Sequence, residues 1–125
     1  MSTNKPRVAA IGTGGSISAV GRDSLDLFEY GSTGILLEPG DLLERVPEVA
    51  SVADVVTVPF RSVSSEAFSP GDWLELNELV HRTVAGDSTL AGMIIIHGTA
   101  TLEETAYFLD LTVKVDIPVV LVAAQ

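Results

Sequence analysis

The sequence predicts an α/β fold, a parallel sheet with helices on both faces. Two observations carry that reading. Four short apolar runs, rich in β-branched residues, are continuous rather than alternating, as in strands covered on both faces. The stretches between them show helical periodicity with recognisable start and stop signals, so strand and helix alternate along the chain.

The first apolar run covers residues 8–11 and leads into Thr13-Gly14-Gly15-Ser16. Residues 18–38 are polar, dotted with glycine and without clear periodicity, which predicts a long loop of the kind that serves as a lid or binding loop. A short helix is predicted over 39–46, then a second strand over 52–58, followed by Ser62, Ser64, Ser65 and Glu66. Ser69, Pro70 and Asp72 supply an N-cap, a proline at the first helical position and an acid in the first turn. Trp73, Leu76, Val80 and Val84 then recur at helical spacing up to Gly86. The third strand, 93–96, runs into His97-Gly98-Thr99. Thr101 and Glu104 read as a capping box for a helix whose apolar stripe is Leu102, Ala106, Leu109 and Val113, with Asp110 and Lys114 as an i,i+4 pair on the wet side. The fourth strand is 119–123, and no internal repeat or linker interrupts this order.

The chain of 125 residues, 46% hydrophobic, suits one domain with a real core. Seventeen acidic residues against seven basic ones argue against nucleic acid or an anionic membrane as a partner. The absence of cysteine excludes a disulfide framework and a thiolate metal site, other metal ligands at recognisable spacing are missing, and no cofactor is expected. The apolar run near the N-terminus is too short for a signal peptide, and none approaches the ~18 residues of a membrane span. A cytoplasmic location is expected.

Ligands of open α/β sheets bind outside the carboxyl ends of the strands. Three successive strand ends here carry small residues and hydroxyls, which together point to a small polar ligand. Two chemistries compete. The "GTGGS" turn could cradle an anion on its backbone N–H groups, although it is neither G-x-G-x-x-G nor a P-loop with its lysine. Alternatively, Ser16 or Thr99 is a nucleophile, with Tyr30 or a residue beyond Gln125 as its base and glycines 14, 15 and 98 giving close access to backbone donors. Plainer roles are expected elsewhere: His97 as a structural histidine, His81 facing solvent, Trp73 in the core, and Glu103 and Glu104 favouring a helix N-terminus.

These clusters, in this order, resemble the bacterial L-asparaginase family of amidohydrolases. "GTGGSIS" is similar to its first signature, "HGTATLEETAYFLDLTV" to its second, and "SSEAFSPGDWLEL" to its substrate-binding segment. The resemblance implies the N-terminal α/β catalytic domain of a two-domain chain: residues 1–125 are part of that domain, and the C-terminal domain is absent. It implies a homo-oligomer, tetramers built from closely packed dimers, acting on a small carboxamide through an acyl-enzyme. It places Ser16 at the nucleophilic threonine, Tyr30 at the lid tyrosine that positions or deprotonates it, and Thr99 at the second catalytic threonine. It gives Ser65 the substrate α-carboxylate and Glu66 the α-ammonium, with Gly15 and Gly98 lining the same site.

Ala100 departs from the family, whose aspartate at this place binds the α-ammonium and steadies a relay lysine that would lie past Gln125. Losing one partner of a buried charge pair costs about 2–5 kcal/mol, so amino-acid recognition should be weakened and a des-amino amide becomes a plausible substrate. A non-catalytic ligand-binding or regulatory module that kept the pocket is the competing expectation. The 125-residue chain by itself is expected to be inactive, with its last strand poorly covered.

Overall fold

The structure, a computed structural model, describes residues 5–124; the expectations that concern the first four residues and the chain end at Gln125 lie outside them. Strands β1 (Arg7–Gly12), β2 (Asp54–Val58), β3 (Leu90–Ile96) and β4 (Val119–Val122) form one parallel sheet in the order β2-β1-β3-β4. Helices α1 (Pro39–Glu44), α2 (Pro70–Gly86) and α3 (Leu102–Thr112) connect them. The register builds two apolar rows across the sheet: Val56, Ala9, Met93 and Val119, then Val58, Ile11, Ile95 and Leu121. Side chains alternate between faces along a strand, so both rows share one face. There they pack with Leu76 and Val80 of α2 and Leu109 of α3 in the core, each such side chain contributing about 1.5–3 kcal/mol by burial. The opposite face meets α1, where Pro39 lies against Gly12. The predicted layer is present, with helices on both faces.

Coverage falls from centre to edge. Ala9, Ala10, Ile11, Met93 and Ile95 are buried, whereas β4 alternates and leaves Val120 51% exposed. Continuous β-branched runs predicted strands covered on both faces; that holds for β1 and β3 but not for the edge strands, which have one neighbour each. Strand β2 begins at Asp54, two residues late, because residues 47–51 make a 3₁₀ turn that Val52 closes.

The local helix signals are only partly realised. The Ser69 cap holds: Ser69 N–H donates to Asp72 Oδ2 (2.7 Å), and the Ser69 hydroxyl accepts from Asp72 N–H (3.3 Å). The Thr101 capping box does not form. Its hydroxyl donates to Ser65 O (2.8 Å), forgoing a cap worth about 1 kcal/mol for a bond across the molecule. Helix α3 ends at Thr112, so the Asp110–Lys114 pairing gives way to a bond from Lys114 Nζ to Leu111 O (3.3 Å). Helix α1 stops at Glu44 rather than at residue 46. His81 does not simply face solvent: it is half-buried, and its Nε2 accepts from Lys114 N–H (3.0 Å). Among the described residues, no helix is long and apolar enough to cross a membrane.

The N-terminal rim of the sheet is closed by charge. Arg7 bonds Asp54 at the start of β2 and Asp87 just past α2. The Thr89 hydroxyl, then Arg7, hold Asp87 down at about 2. The opposite rim is built from glycines and hydroxyls.

Candidate active site

From β1 the chain crosses to β2 on one side, and from β3 it crosses to β4 on the other. The carboxyl ends of β1 and β3 therefore meet at the topological switch point, where open α/β sheets form a crevice. Thr13 stitches this junction. Its N–H and hydroxyl both reach Ile96 O (2.9 and 3.2 Å), and its carbonyl accepts from Val63 N–H beyond β2 (2.8 Å). Gly15 then takes φ 87°, ψ 177°, a conformation essentially confined to glycine. A Cβ at Gly15 would fall on the Cα of Gly98, and one at Gly98 would lie 2.5 Å from Ser65 Oγ. Three strand exits thus converge on a contact between two bare backbones.

Above that contact lies a cavity of about 480 Å³. Seven of the residues singled out from the sequence line it: Gly15, Ser16, Tyr30, Ser64, Ser65, Glu66 and Thr99. Gly98 is buried beneath it, while Ala100 is exposed and outside the lining. A larger hollow of about 610 Å³ between α3 and β4 is walled by Leu102, Ala106, Leu109, Val119 and their neighbours. It lacks the convergent hydroxyls, so the strand-end cavity is the candidate site.

Ser16 opens a 3₁₀ turn over Ser16–Ser18, and its hydroxyl donates to the carbonyl of Ala124 (2.8 Å) rather than to Tyr30. Tyr30 is half-buried at the start of a second 3₁₀ turn, Tyr30–Thr33. Thr99 is half-buried at the exit of β3, and Ser65 is buried with its Oγ beside Gly98. The hydroxyl of Ser64 bonds Glu66, which with the Glu66 backbone N–H holds that carboxyl below its ordinary range. Glu66 is therefore an anion at neutral pH, suited to a cationic or hydrogen-donating group of a ligand.

The loop over 18–38 is pinned at its base and free at its tip. Ala19 and Leu36 form an antiparallel bridge, with bonds from Val20 N–H to Ile35 O (3.0 Å) and from Leu37 N–H to Ser18 O (2.7 Å). Both bridge residues line the cavity, an apolar wall the sequence reading missed. Phe28 at the tip is 95% exposed.

His97 is fully buried and packed at 4.9 Å from the Phe68 ring. Its partners are Gly98 O (2.7 Å) and the Thr105 hydroxyl (3.0 Å), which makes it the structural histidine expected. Burial lowers its pKa, outweighing the bond to Gly98. Thr105 was missed. The available signal was its place on the helical stripe between Leu102 and Leu109, where a polar residue needs a buried partner.

Residues 7–125 match the family model described as Asparaginase, N-terminal. The chain is 38% identical over 122 residues to L-asparaginase 2 of Escherichia coli (strain K12), covering 96% of this chain and 33% of that protein. It is 37% identical over 121 residues to a probable periplasmic L-asparaginase of Haemophilus influenzae, with coverages of 96% and 33%. The crystal structure of a probable cytoplasmic L-asparaginase from Campylobacter jejuni is similar at TM-score 0.82 and 35% identity, over 96% of this chain and 35% of that one. The chain spans about a third of the length of these relatives. With its switch-point cavity, its two glycine-hydroxyl turns and this match along nearly its whole length, the chain belongs to the asparaginase N-terminal family.

Proposed function

We propose that the protein is an amidohydrolase acting on a small carboxamide, asparagine-like or its des-amino analogue. The observation that carries this reading is the gathering of Ser16, Thr99, Tyr30, Ser65 and Glu66 around one cavity at the switch point. In this scheme Ser16 Oγ attacks the amide carbonyl, its proton passes by way of Tyr30 to the leaving nitrogen, and ammonia departs. Water then attacks the resulting ester, activated beside Thr99, and releases the acid with the Ser16 hydroxyl restored. The Ser16 hydroxyl has to leave Ala124 O before it can transfer its proton. Ser65 holds the substrate carboxylate, and Glu66 any α-ammonium. With alanine at 100, Glu66 acts without a second acid, which weakens the preference for a free amino acid.

Homo-oligomeric assembly and a cytoplasmic location belong to the same proposal. The latter is supported by the name of the Campylobacter jejuni protein and opposed by that of the Haemophilus influenzae one. The competing reading, a non-catalytic ligand-binding module, draws on the Ser16 bond to a carbonyl, which cannot serve as a base.

Expressed with all that its gene encodes, the protein should release ammonia from asparagine or from its des-amino analogue. Ser16→Ala should lower kcat/KM about a thousand-fold or more and abolish labelling by an electrophilic amide analogue. Ligand binding without ammonia release from any amide tested would favour the module. A strong preference for asparagine over the des-amino amide would count against the reading of Ala100.

A further inference from the structure

Behind the cavity, four groups are joined by hydrogen bonds whose directions are dictated by chemistry. Trp73 Nε1 lies 2.8 Å from Thr105 Oγ1, which lies 3.0 Å from His97 Nε2; His97 Nδ1 lies 2.7 Å from Gly98 O. An indole N–H only donates and a carbonyl only accepts. The proton on the Gly98 side must therefore sit on Nδ1. The ring is fully buried and flanked by Phe68, an environment that disfavours a second proton. Nε2 is then an acceptor, and among the described residues its donor is the Thr105 hydroxyl. That hydroxyl is turned toward Nε2 because the indole N–H occupies a lone pair on its other side.

The end of this chain matters more than its beginning. Gly98 O belongs to the peptide that joins Gly98 to Thr99, and a trans peptide is planar, so fixing its C=O fixes the opposed N–H of Thr99. Gly98 lies between Gly15 and Ser65, and Thr99 lines the cavity. The structure thus couples the packing of α2 against α3, through Trp73 stacked on Phe108 (5.8 Å between centroids), to the plane of one peptide in the site wall.

We propose that Trp73, Thr105 and His97 are positioning residues: a one-way hydrogen-bond chain that locks His97 as its Nδ1–H tautomer and thereby sets the Gly98–Thr99 peptide and aims Thr99 at the cavity. Its kinetic consequence rests on the amide-hydrolysis reading; its tautomeric and conformational content does not. Thr105→Val keeps the side-chain shape and removes the hydroxyl, Thr105→Ser keeps the hydroxyl, and Trp73→Phe removes the terminal donor and part of the ring while retaining an aromatic face.

The test uses the protein expressed with all that its gene encodes, labelled with ¹⁵N. Ring-nitrogen shifts should show His97 with a protonated Nδ1 and a bare Nε2 at neutral pH. In Thr105→Val the backbone amide signals of Gly98 and Thr99 should move and His97 Nε2 should change its shift, whereas Thr105→Ser should keep the parent values. For ammonia release, Thr105→Val should lower kcat by about ten- to a hundred-fold, because misplacements near 1 Å cost that much, with KM within about twofold. Thr105→Ser should restore kcat. If Thr105→Val fails to fold, Trp73→Phe should shift the same Gly98 and Thr99 signals more weakly. An Nε2–H tautomer in the parent, or unmoved Gly98 and Thr99 signals in a folded Thr105→Val or Trp73→Phe, would overturn the proposal. Loss of the amide-hydrolysis reading alone would leave those spectral outcomes unaffected.

Discussion

The floor of the cavity and its cover use glycine and apolar surface in opposite ways. At the floor, Gly15 and Gly98 touch through their backbones, Thr13 ties two strand exits together, and His97 is buried with both ring nitrogens bonded. In the cover, Gly31 and Gly34 have open space where a side chain would go, and Leu25, Leu27 and Phe28 project outward from the tip. At the base of the cover the Ala19–Leu36 bridge ties the two arms of the loop to each other. A glycine in the floor is needed because something else already fills the space; Gly31 in the cover meets no such demand, and Gly34 is favoured by its φ of 71° and not by crowding. Position in the fold, not residue type, decides what each glycine does.

The sharpest way to break this contrast is to place one methyl group on each side of it. Gly15→Ala combines a conformation foreign to other residues with an overlap on Gly98, and should cost about 2–5 kcal/mol. Gly31→Ala should cost less than about 1 kcal/mol. Urea unfolding midpoints of the two variants against the parent measure this, and equal losses would remove the distinction.

An intermediate effect is expected from pH. The pKa of His97 is depressed in the fold, so the buried ring favours the neutral form. Its contribution is fully present above the unfolded value of about 6.5 and is lost as pH falls from there through the lowered folded value, with a slope of at most about 1.4 kcal/mol per pH unit. Unfolding free energy measured from pH 8 downward should be flat and then fall. His97→Gln should flatten that first decline, leaving the losses at lower pH as Asp72 and Asp87, both held below their ordinary values, take up protons. No decline between pH 6.5 and 5 would show that the floor tolerates the charge.

The smallest effect belongs to the tip. Phe28→Ser should change stability by no more than about 0.5 kcal/mol, since the ring is nearly all exposed. A larger loss on thermal unfolding would mean that the tip is covered in solution, and the contrast would then apply to the isolated chain alone.

What the sequence made legible follows the range of the interactions involved. Strands β1 and β3, helix α2 and its Ser69–Asp72 cap were readable because periodicity and caps are local. The three strand ends were readable because the switch-point rule needs only element order. The Thr101 hydroxyl was misread because its better acceptor, Ser65 O, lies 36 residues away. The half-exposed edge strands depend on sheet order, which no single run encodes. The Trp73–Thr105–His97 chain crosses between α2, α3 and β3, so each member looks ordinary in its own segment. Ala100 was conspicuous only beside the family pattern; its own place is an exposed turn position outside the cavity lining.

The Gly15–Gly98 contact also limits how such a cavity can diversify. Most crowded pairs can trade volume, one residue shrinking as its neighbour grows, so a double library finds compensated solutions. Here both partners are already at zero, and a methyl on either has only the other's Cα or Ser65 to displace. Randomising both positions together should therefore return glycine at both among folded clones. Under the proposed function, substitutions that alter selectivity are expected at Ala19, Tyr30 and Leu36 of the cavity wall, while the junction beneath stays as it is.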